Sequence, residues 1–227
     1  LIRPAVANID QAMIIFALKK PDPNLNLLDK FLVMMEYQNI DTIICFNKMD
    51  ISDEDFMNEL DSIYSKAGYK VMFASATEEK GVESIMEFLK NKSTVFAGPS
   101  GVGKSSMLNA LTKDYKMETG SVSRKIGRGK HTTRHSELFV IDEERGTMIF
   151  DTPGFTSFDV LTADEEELQH MFPEIRERAG GCRYNDCRHL AEPGCCVLEA
   201  LEKGEISTSR YDSYKMMMED IRKSKQY

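Results

Sequence analysis

Residues 98–105 read Gly98-Pro99-Ser100-Gly101-Val102-Gly103-Lys104-Ser105 and satisfy G-x-x-x-x-G-K-[ST] without a mismatch. A loop of this kind turns its backbone amides inward around a triphosphate, and its glycines let the main chain approach without a clashing side chain. Gly98, Ser100, Gly101, Val102 and Gly103 are therefore expected to line the phosphates. Lys104 would neutralise the β and γ phosphates, and Ser105 would ligate Mg²⁺. The flanks agree: residues 93–97 (STVFA) read as a short buried strand, and residues 106–111 as a helix. The N-terminal dipole of that helix, at Ser106, would face the phosphates. Taken alone, the motif also fits a Gly-rich turn.

Working back towards the N-terminus, residues 40–46 read as a second buried strand that ends in Asn47-Lys48-Met49-Asp50. N-K-x-D at the carboxyl end of a strand reads guanine. Asp50 would accept from N1–H and the exocyclic amine, Lys48 would lie along the base, and Asn47 would hold the loop. Adenine presents an acceptor where guanine presents a donor, so a carboxylate there leaves lone pair against lone pair. GTP is favoured over ATP. An ordinary surface turn would explain the tetrapeptide by itself; paired with a phosphate loop it becomes specific. Ser75-Ala76, after the strand expected over 69–74, would place an amide on guanine O6.

The remaining elements frame these motifs. Residues 10–18 read as a strand broken at Pro21, and Asn24 as the cap of a helix with Leu25, Leu28, Leu32 and Met35 on one face. Residues 53–67 and 81–90 read as amphipathic helices. Past the phosphate-loop helix, one threonine of a basic loop would close over Mg²⁺ and the γ phosphate as a first switch; Thr133 is favoured, with Thr132 the alternative. Residues 137–141 and 147–150 read as a hairpin that delivers Asp151-Thr152-Pro153-Gly154. Asp151 would hold Mg²⁺ through water, and the Gly154 amide would sense the γ phosphate.

The 227 residues, 41% of them apolar, suffice for one substantial domain and a small one. No run approaches the roughly 18 apolar residues of a membrane span, and no secretory leader is visible, so no membrane partner and a cytoplasmic location are expected. The sequence begins at Leu1 rather than Met, and an N-terminal piece is expected to precede it. A net charge of −8 argues against coating nucleic acid through bulk charge. Residues 121–136 nevertheless carry Arg124, Lys125, Arg128, Lys130, His131, Arg134 and His135 with no acid, either a local nucleic-acid patch or a solvated surface. Asp164-Glu165-Glu166-Glu167 reads as a solvated acidic surface.

The guanine reader precedes the phosphate loop, the reverse of the usual GTPase order, so the domain is circularly permuted. This order, with RPAVANIDQ at 3–11, NLNLLD at 24–29 and GRGKHTTRH at 127–135, resembles the bacterial RsgA (YjeQ-type) GTPases of ribosome assembly over almost the whole chain. The resemblance implies an N-terminal OB-fold, which is absent from these residues, a permuted α/β P-loop GTPase domain, and a small, mainly helical C-terminal zinc domain. The last two are expected over 1–159 and 160–227. Permutation also means that the chain after Gly154 leads directly into the C-terminal region, which offers an output route for a change at the γ phosphate. Phe155 stands where a Ras-like enzyme has a water-orienting glutamine, so intrinsic hydrolysis should be slow. His131 is the candidate substitute, as a neutral imidazole beside the γ phosphate; membership of a basic surface is its other reading.

Of five cysteines, Cys45 falls in a strand and reads as core. Cys182-x4-Cys187-x-His189-x5-Cys195 supplies three thiolates and an imidazole, suited to one structural Zn²⁺, and it matches the zinc motif of the resembled family at all four positions. Cys196 is left as packing, and disulfides are the rival reading that a cytoplasmic setting disfavours. Few apolar residues precede Val197, so the region is expected to need the metal to fold. Residues 197–204 and 207–225 read as helices; Met216, Met217 and Met218 would pack. Arg183, Arg188, Arg210 and Lys215 would be available to RNA phosphates, or simply solvated.

The expectation is thus a monomeric, Mg²⁺-dependent GTP hydrolase cycling between GTP and GDP. The resemblance makes it a late assembly switch on the small ribosomal subunit and its rRNA, with hydrolysis stimulated by the subunit and coupled to release. The alternative is a nucleotide-gated RNA-binding module whose turnover is incidental; a membrane-transport regulator lacks any membrane segment.

Overall fold

The computed structural model describes residues 9–119, 137–142, 146–151 and 164–224. The chain divides into two compact units: residues 1–23, 40–57 and 71–156, and residues 24–39, 58–70 and 157–227.

The first unit is built on a six-stranded sheet. Its strands are β1 (Gln11–Ala17), β2 (Asp41–Asn47), β3 (Lys70–Phe73), β4 (Ser93–Ala97), β5 (Glu137–Asp142) and β6 (Thr147–Asp151), in the order β3-β2-β1-β4-β6-β5. β1 pairs in parallel with β2 and β4, β4 in parallel with β6, and β5 closes antiparallel on β6. Every residue of β1 is buried, which is why its sequence is apolar from Ala12 onward rather than alternating. The period-2 set Met13, Ile15 and Ala17 joins Ile43, Cys45, Phe96 and Ile149 under helices α3 (Val82–Leu89) and α4 (Lys104–Thr119), through Ile85, Leu89, Met107 and Leu111. Cys45 is core, as its position in β2 implied. The expected hairpin is present, with a register break between Val140 and Asp142.

α1 (Leu25–Tyr37) starts at Asn24, whose side chain accepts from the Leu27 amide at 3.0 Å. It belongs to the second unit, together with the C-terminal part of α2 (Glu54–Lys66). The other helices there are α5 (Glu165–Leu168), α6 (Pro173–Ala179), α7 (Cys196–Glu202) and α8 (Thr208–Ser224). Their core gathers Val33 with Leu168, Phe172, Ile175, Tyr211, Tyr214, Met217 and Ile221. Val33, Leu168, Phe172 and Ile175 lie ahead of Val197 in this core, which Cys187 and Cys195 also join.

Three expectations are corrected in this unit. The acidic run is not simply a solvated surface: Asp164 and Glu167 form a capping box at the start of α5, Glu165 pairs with Arg222 at 2.9 Å, and Glu166 with Arg188 at 2.6 Å. Met216 is exposed while Met217 and Met218 pack. Arg210 is 1% exposed, its Nε and Nη2 donating to Glu174 at 2.7 and 3.1 Å and its Nη1 to Asp29 at 2.7 Å. Phe172 lies 4.6 Å from its guanidinium carbon. A side chain so enclosed does not meet RNA.

Candidate functional site

The carboxyl ends of β2, β4 and β6 lie along one edge of the parallel sheet, where open α/β sheets bind ligands. β2 ends at Asn47 and runs into the 3-10 turn Met49–Ile51. β4 ends at Ala97 and delivers the phosphate loop, and β6 ends at Asp151, in register with Phe96. Topology alone thus brings the base reader, phosphate loop and candidate magnesium aspartate to one edge, although residues 47 and 151 are far apart in the chain.

Side chains then tie the loops together. Asn47 is 2% exposed; its Nδ2 donates to the Val102 carbonyl at 2.9 Å and its Oδ1 accepts from the Ala76 amide at 3.1 Å. Lys48, in the left-handed region at φ 65°, sends its Nζ to the Gly101 carbonyl at 2.8 Å and to the carbonyl of Lys20. Main-chain bonds from Met49 N to the Ala74 carbonyl and from Ala74 N to the Phe46 carbonyl hold the Ser75-Ala76 turn beside the reader. Ser75 Oγ accepts from the Glu78 amide. The Ala76 amide, expected on guanine O6, is directed at Asn47 Oδ1 in this structure.

Two glycines are obligatory for this packing. At Gly98, φ +145°, a Cβ would stand 2.1 Å from the Ile15 carbonyl oxygen of β1, which cannot yield. At Gly103, φ +94°, it would stand 2.3 Å from Asn47 Nδ2. The phosphate loop is therefore moulded against the central strand on one side and the base reader on the other. Lys104 Nζ donates to the Gly98 and Pro99 carbonyls at 2.7 and 2.8 Å. Ser100, Ser105, Ser106 and Asp50 are exposed to solvent. His131, Thr132, Thr133 and Gly154 lie outside the described residues, as does the basic run 121–136; of Asp151 only the backbone is described.

In the second unit, Cys182, Cys187, His189 and Cys195 place their ligand atoms within 4.8 Å of one another. Cys182 Sγ is 3.9 Å from Cys195 Sγ, and His189 Nδ1 is 3.6 and 3.3 Å from those two sulfurs. A tetrahedron with metal–sulfur bonds of about 2.3 Å and a metal–nitrogen bond of about 2.0 Å has edges of roughly 3.5–3.8 Å, so the donor set fits Zn²⁺. All five cysteines are unbridged. Burial pushes the Cys187 thiol up to about 12 and raises that of Cys195, so in this environment the thiolates need a cation. Cys196 stands outside the quartet and donates to the Gly181 carbonyl at 2.8 Å.

The supports of this centre escaped sequence reasoning. His189 Nε2 lies 2.9 Å from Gln169 Oε1, which leaves Nδ1 for the metal. The hydroxyls of Tyr211 and Tyr214 donate to the carbonyls of His189 and Arg188. Glu192 accepts from the amides of Arg188, Leu190 and Ala191 at 2.8, 2.8 and 3.0 Å. Burial opposes its ionisation, but these amides prevail and hold its carboxyl at about 2. Nothing in the spacing of Gln169 or Glu192 marks them; only the fold brings them to the ligands.

Comparison with known proteins adds the family. The family model for RsgA GTPases matches residues 1–161. The small ribosomal subunit biogenesis GTPase RsgA of Agathobacter rectalis is 52% identical over 227 residues, 100% of this chain and 74% of the relative. That of Clostridium botulinum strain Loch Maree is 46% identical over 221 residues, 97% of this chain and 75% of the relative. Among solved structures, YloQ, a circularly permuted GTPase, superposes with a TM-score of 0.79 at 37% identity, covering 99% of this chain and 72% of that one. YjeQ from Thermotoga maritima superposes with a TM-score of 0.80 at 38% identity, covering 97% and 74%.

Proposed function

Since the chain belongs to the RsgA GTPase family, we propose that it is a GTP-hydrolysing switch in small ribosomal subunit biogenesis, with hydrolysis stimulated by the subunit and coupled to release. The observation that carries this reading is the bond between Asn47 and Val102, which makes base reader and phosphate loop one guanine-nucleotide site. Asp50 selects the base by accepting two donors, Lys48 lies along it, and the amides of residues 98–103 and Lys104 hold the phosphates. Ser105, Asp151 and Thr133, or Thr132 in its place, hold Mg²⁺, which when bound neutralises charge on the β and γ phosphates. His131 orients the attacking water, and the Gly154 amide senses the γ phosphate.

Residues 1–159 supply the GTPase and residues 160–227 the metal-binding region. Cys182, Cys187, His189 and Cys195 hold one structural Zn²⁺; the geometry of their donor atoms supports this assignment. The subunit is engaged through its rRNA by a monomer in the cytoplasm. Among the described residues no helix is long and apolar enough to cross a membrane.

Co-sedimentation with purified small ribosomal subunits tests the switch. Retention with a non-hydrolysable GTP analogue and release with GDP are expected. Equal retention with both nucleotides would contradict it.

A further inference from the structure

Six arginines lie among the described residues. Arg176, Arg178, Arg188, Arg210 and Arg222 each meet a carboxylate. Arg183 meets none among the described residues; its guanidinium carbon instead lies 5.5 Å from the centroid of the Tyr184 ring. Tyr184 is 42% exposed and Tyr37 48%, whereas Tyr64, Tyr69, Tyr211 and Tyr214 of the same unit are buried. In an acidic chain that neutralises its other described arginines, an unpaired cation beside an open aromatic face is a specific feature.

The pair is also held in place. Arg183-Tyr184-Asn185-Asp186 are four consecutive exposed residues between the candidate metal ligands Cys182 and Cys187. The Arg183 amide donates to the Gly194 carbonyl at 3.0 Å, and the Cys187 amide to the Tyr184 carbonyl at 3.3 Å. A Cβ on Gly194 would come within 3.2 Å of Arg183 Cβ, so the arginine stem lies against the Gly194 backbone. Little ordering entropy remains to be lost when a ligand settles on such a loop.

An exposed ring on a held backbone presents a π-face that any unstacked base can cover, and a neighbouring guanidinium meets its phosphate or extends the stack. Paired bases in a duplex are already stacked and do not offer that face. We propose that Arg183 and Tyr184 form a stacking site for an unpaired nucleotide of single-stranded RNA, the base on Tyr184 and its phosphate on Arg183. The site rests on the reading above that the partner is the small ribosomal subunit. With a net charge of −8 drawing no RNA in bulk, the contact is local and stacking-led.

The chain contains no tryptophan, so Tyr184→Trp keeps an aromatic platform and introduces a unique fluorophore. Titration with single-stranded oligoadenylate is expected to quench it, and an RNA duplex of equal length is not. Tyr184→Ala is expected to weaken binding to purified small subunits roughly 5- to 150-fold, as for one stacked base, with Tyr184→Phe restoring it and zinc content unchanged in both. Absence of quenching by the single strand overturns the site. So does quenching by strand and duplex alike. A loss of subunit binding in Tyr184→Ala without quenching indicates a ribosomal protein as the partner of this loop and overturns it equally. Wild-type protein that fails to bind subunits at all counts against the partner reading instead, and the oligonucleotide titration still decides the stacking site.

Discussion

The side-chain amide of Asn47 donates to the carbonyl of Val102 at 2.9 Å across 55 residues of sequence. The same side chain accepts from Ala76, so one buried asparagine joins the base reader, the phosphate loop and the turn beside them. Asn47→Ala leaves a buried carbonyl and amide without partners, and a stability loss of about 1–3 kcal/mol follows for each group so stranded. Guanine-nucleotide affinity should fall with it. Asn47→Asp keeps the acceptor for Ala76 but turns a carboxylate oxygen on the Val102 carbonyl, and should be no better. Denaturant unfolding and fluorescent GDP titration of both variants check this; unchanged GDP affinity in Asn47→Ala would disprove the joint.

Gly98 offers a sharper steric test. An added methyl meets the Ile15 carbonyl of the central strand at 2.1 Å, with backbone on both sides of the clash. Gly98→Ala is expected to abolish measurable GDP binding and lower the melting temperature by several degrees, while Gly146→Ala, where the added Cβ meets nothing within 4 Å, gives at most the smaller cost of a positive φ.

Base selection follows from the donor and acceptor pattern at Asp50. Xanthine replaces the exocyclic amine of guanine with a carbonyl, so Asp50→Asn, which offers one donor and one acceptor, should exchange GTP for xanthosine triphosphate. Competition binding with both nucleotides reads the exchange. Preference for GTP retained in the variant would remove Asp50 from the base.

Metal removal should act locally. The helices of the second unit supply most of its core, including Phe172, Tyr214 and Met217, while residues 180–195, which add Cys187 and Cys195 to it, have little regular structure and converge on the four donors. Chelation is therefore expected to release hydrogen-exchange protection in 180–195 and to spare α1 and α8. Loss of protection throughout the unit would show instead that its core depends on the metal.

A pH response is expected at the same loop. The Glu192 carboxyl is held at about 2, below its ordinary value of 4.5, because the loop amides favour its ionised form. Its stabilising contribution is complete above about pH 4.5 and disappears as the pH falls towards 2. Glu192→Gln should lower thermal stability at pH 7 but much less near pH 2, read as the narrowing gap between the two melting curves; a gap independent of pH would remove the ionised carboxylate as its cause.

Much of this was legible before the fold. β1 and β2 announced themselves through their apolar stretches 12–18 and 43–46, and Asn24 as a cap, because those signals are local. Local signals also existed for α5 and α6, in the Asp164 and Glu167 capping pair and Pro173 at a helix start, but net acidity masked the first. Arg210 could not be placed, since its partner Asp29 lies 181 residues away and only tertiary packing reveals that both are buried. Gln169 and Glu192 were invisible for the same reason. Phosphate loop, base reader and cysteine quartet were readable because nucleotide and metal chemistry constrains residue type at fixed spacing, whereas their supports need only be close in space.

The most direct test of the account is GTP turnover at fixed Mg²⁺ and salt, with and without purified small ribosomal subunits, using Lys104→Ala as the blank. A slow intrinsic rate, raised strongly by the subunit and lost in Lys104→Ala, is the expected result. A rate indifferent to the subunit would contradict a switch whose hydrolysis that partner triggers.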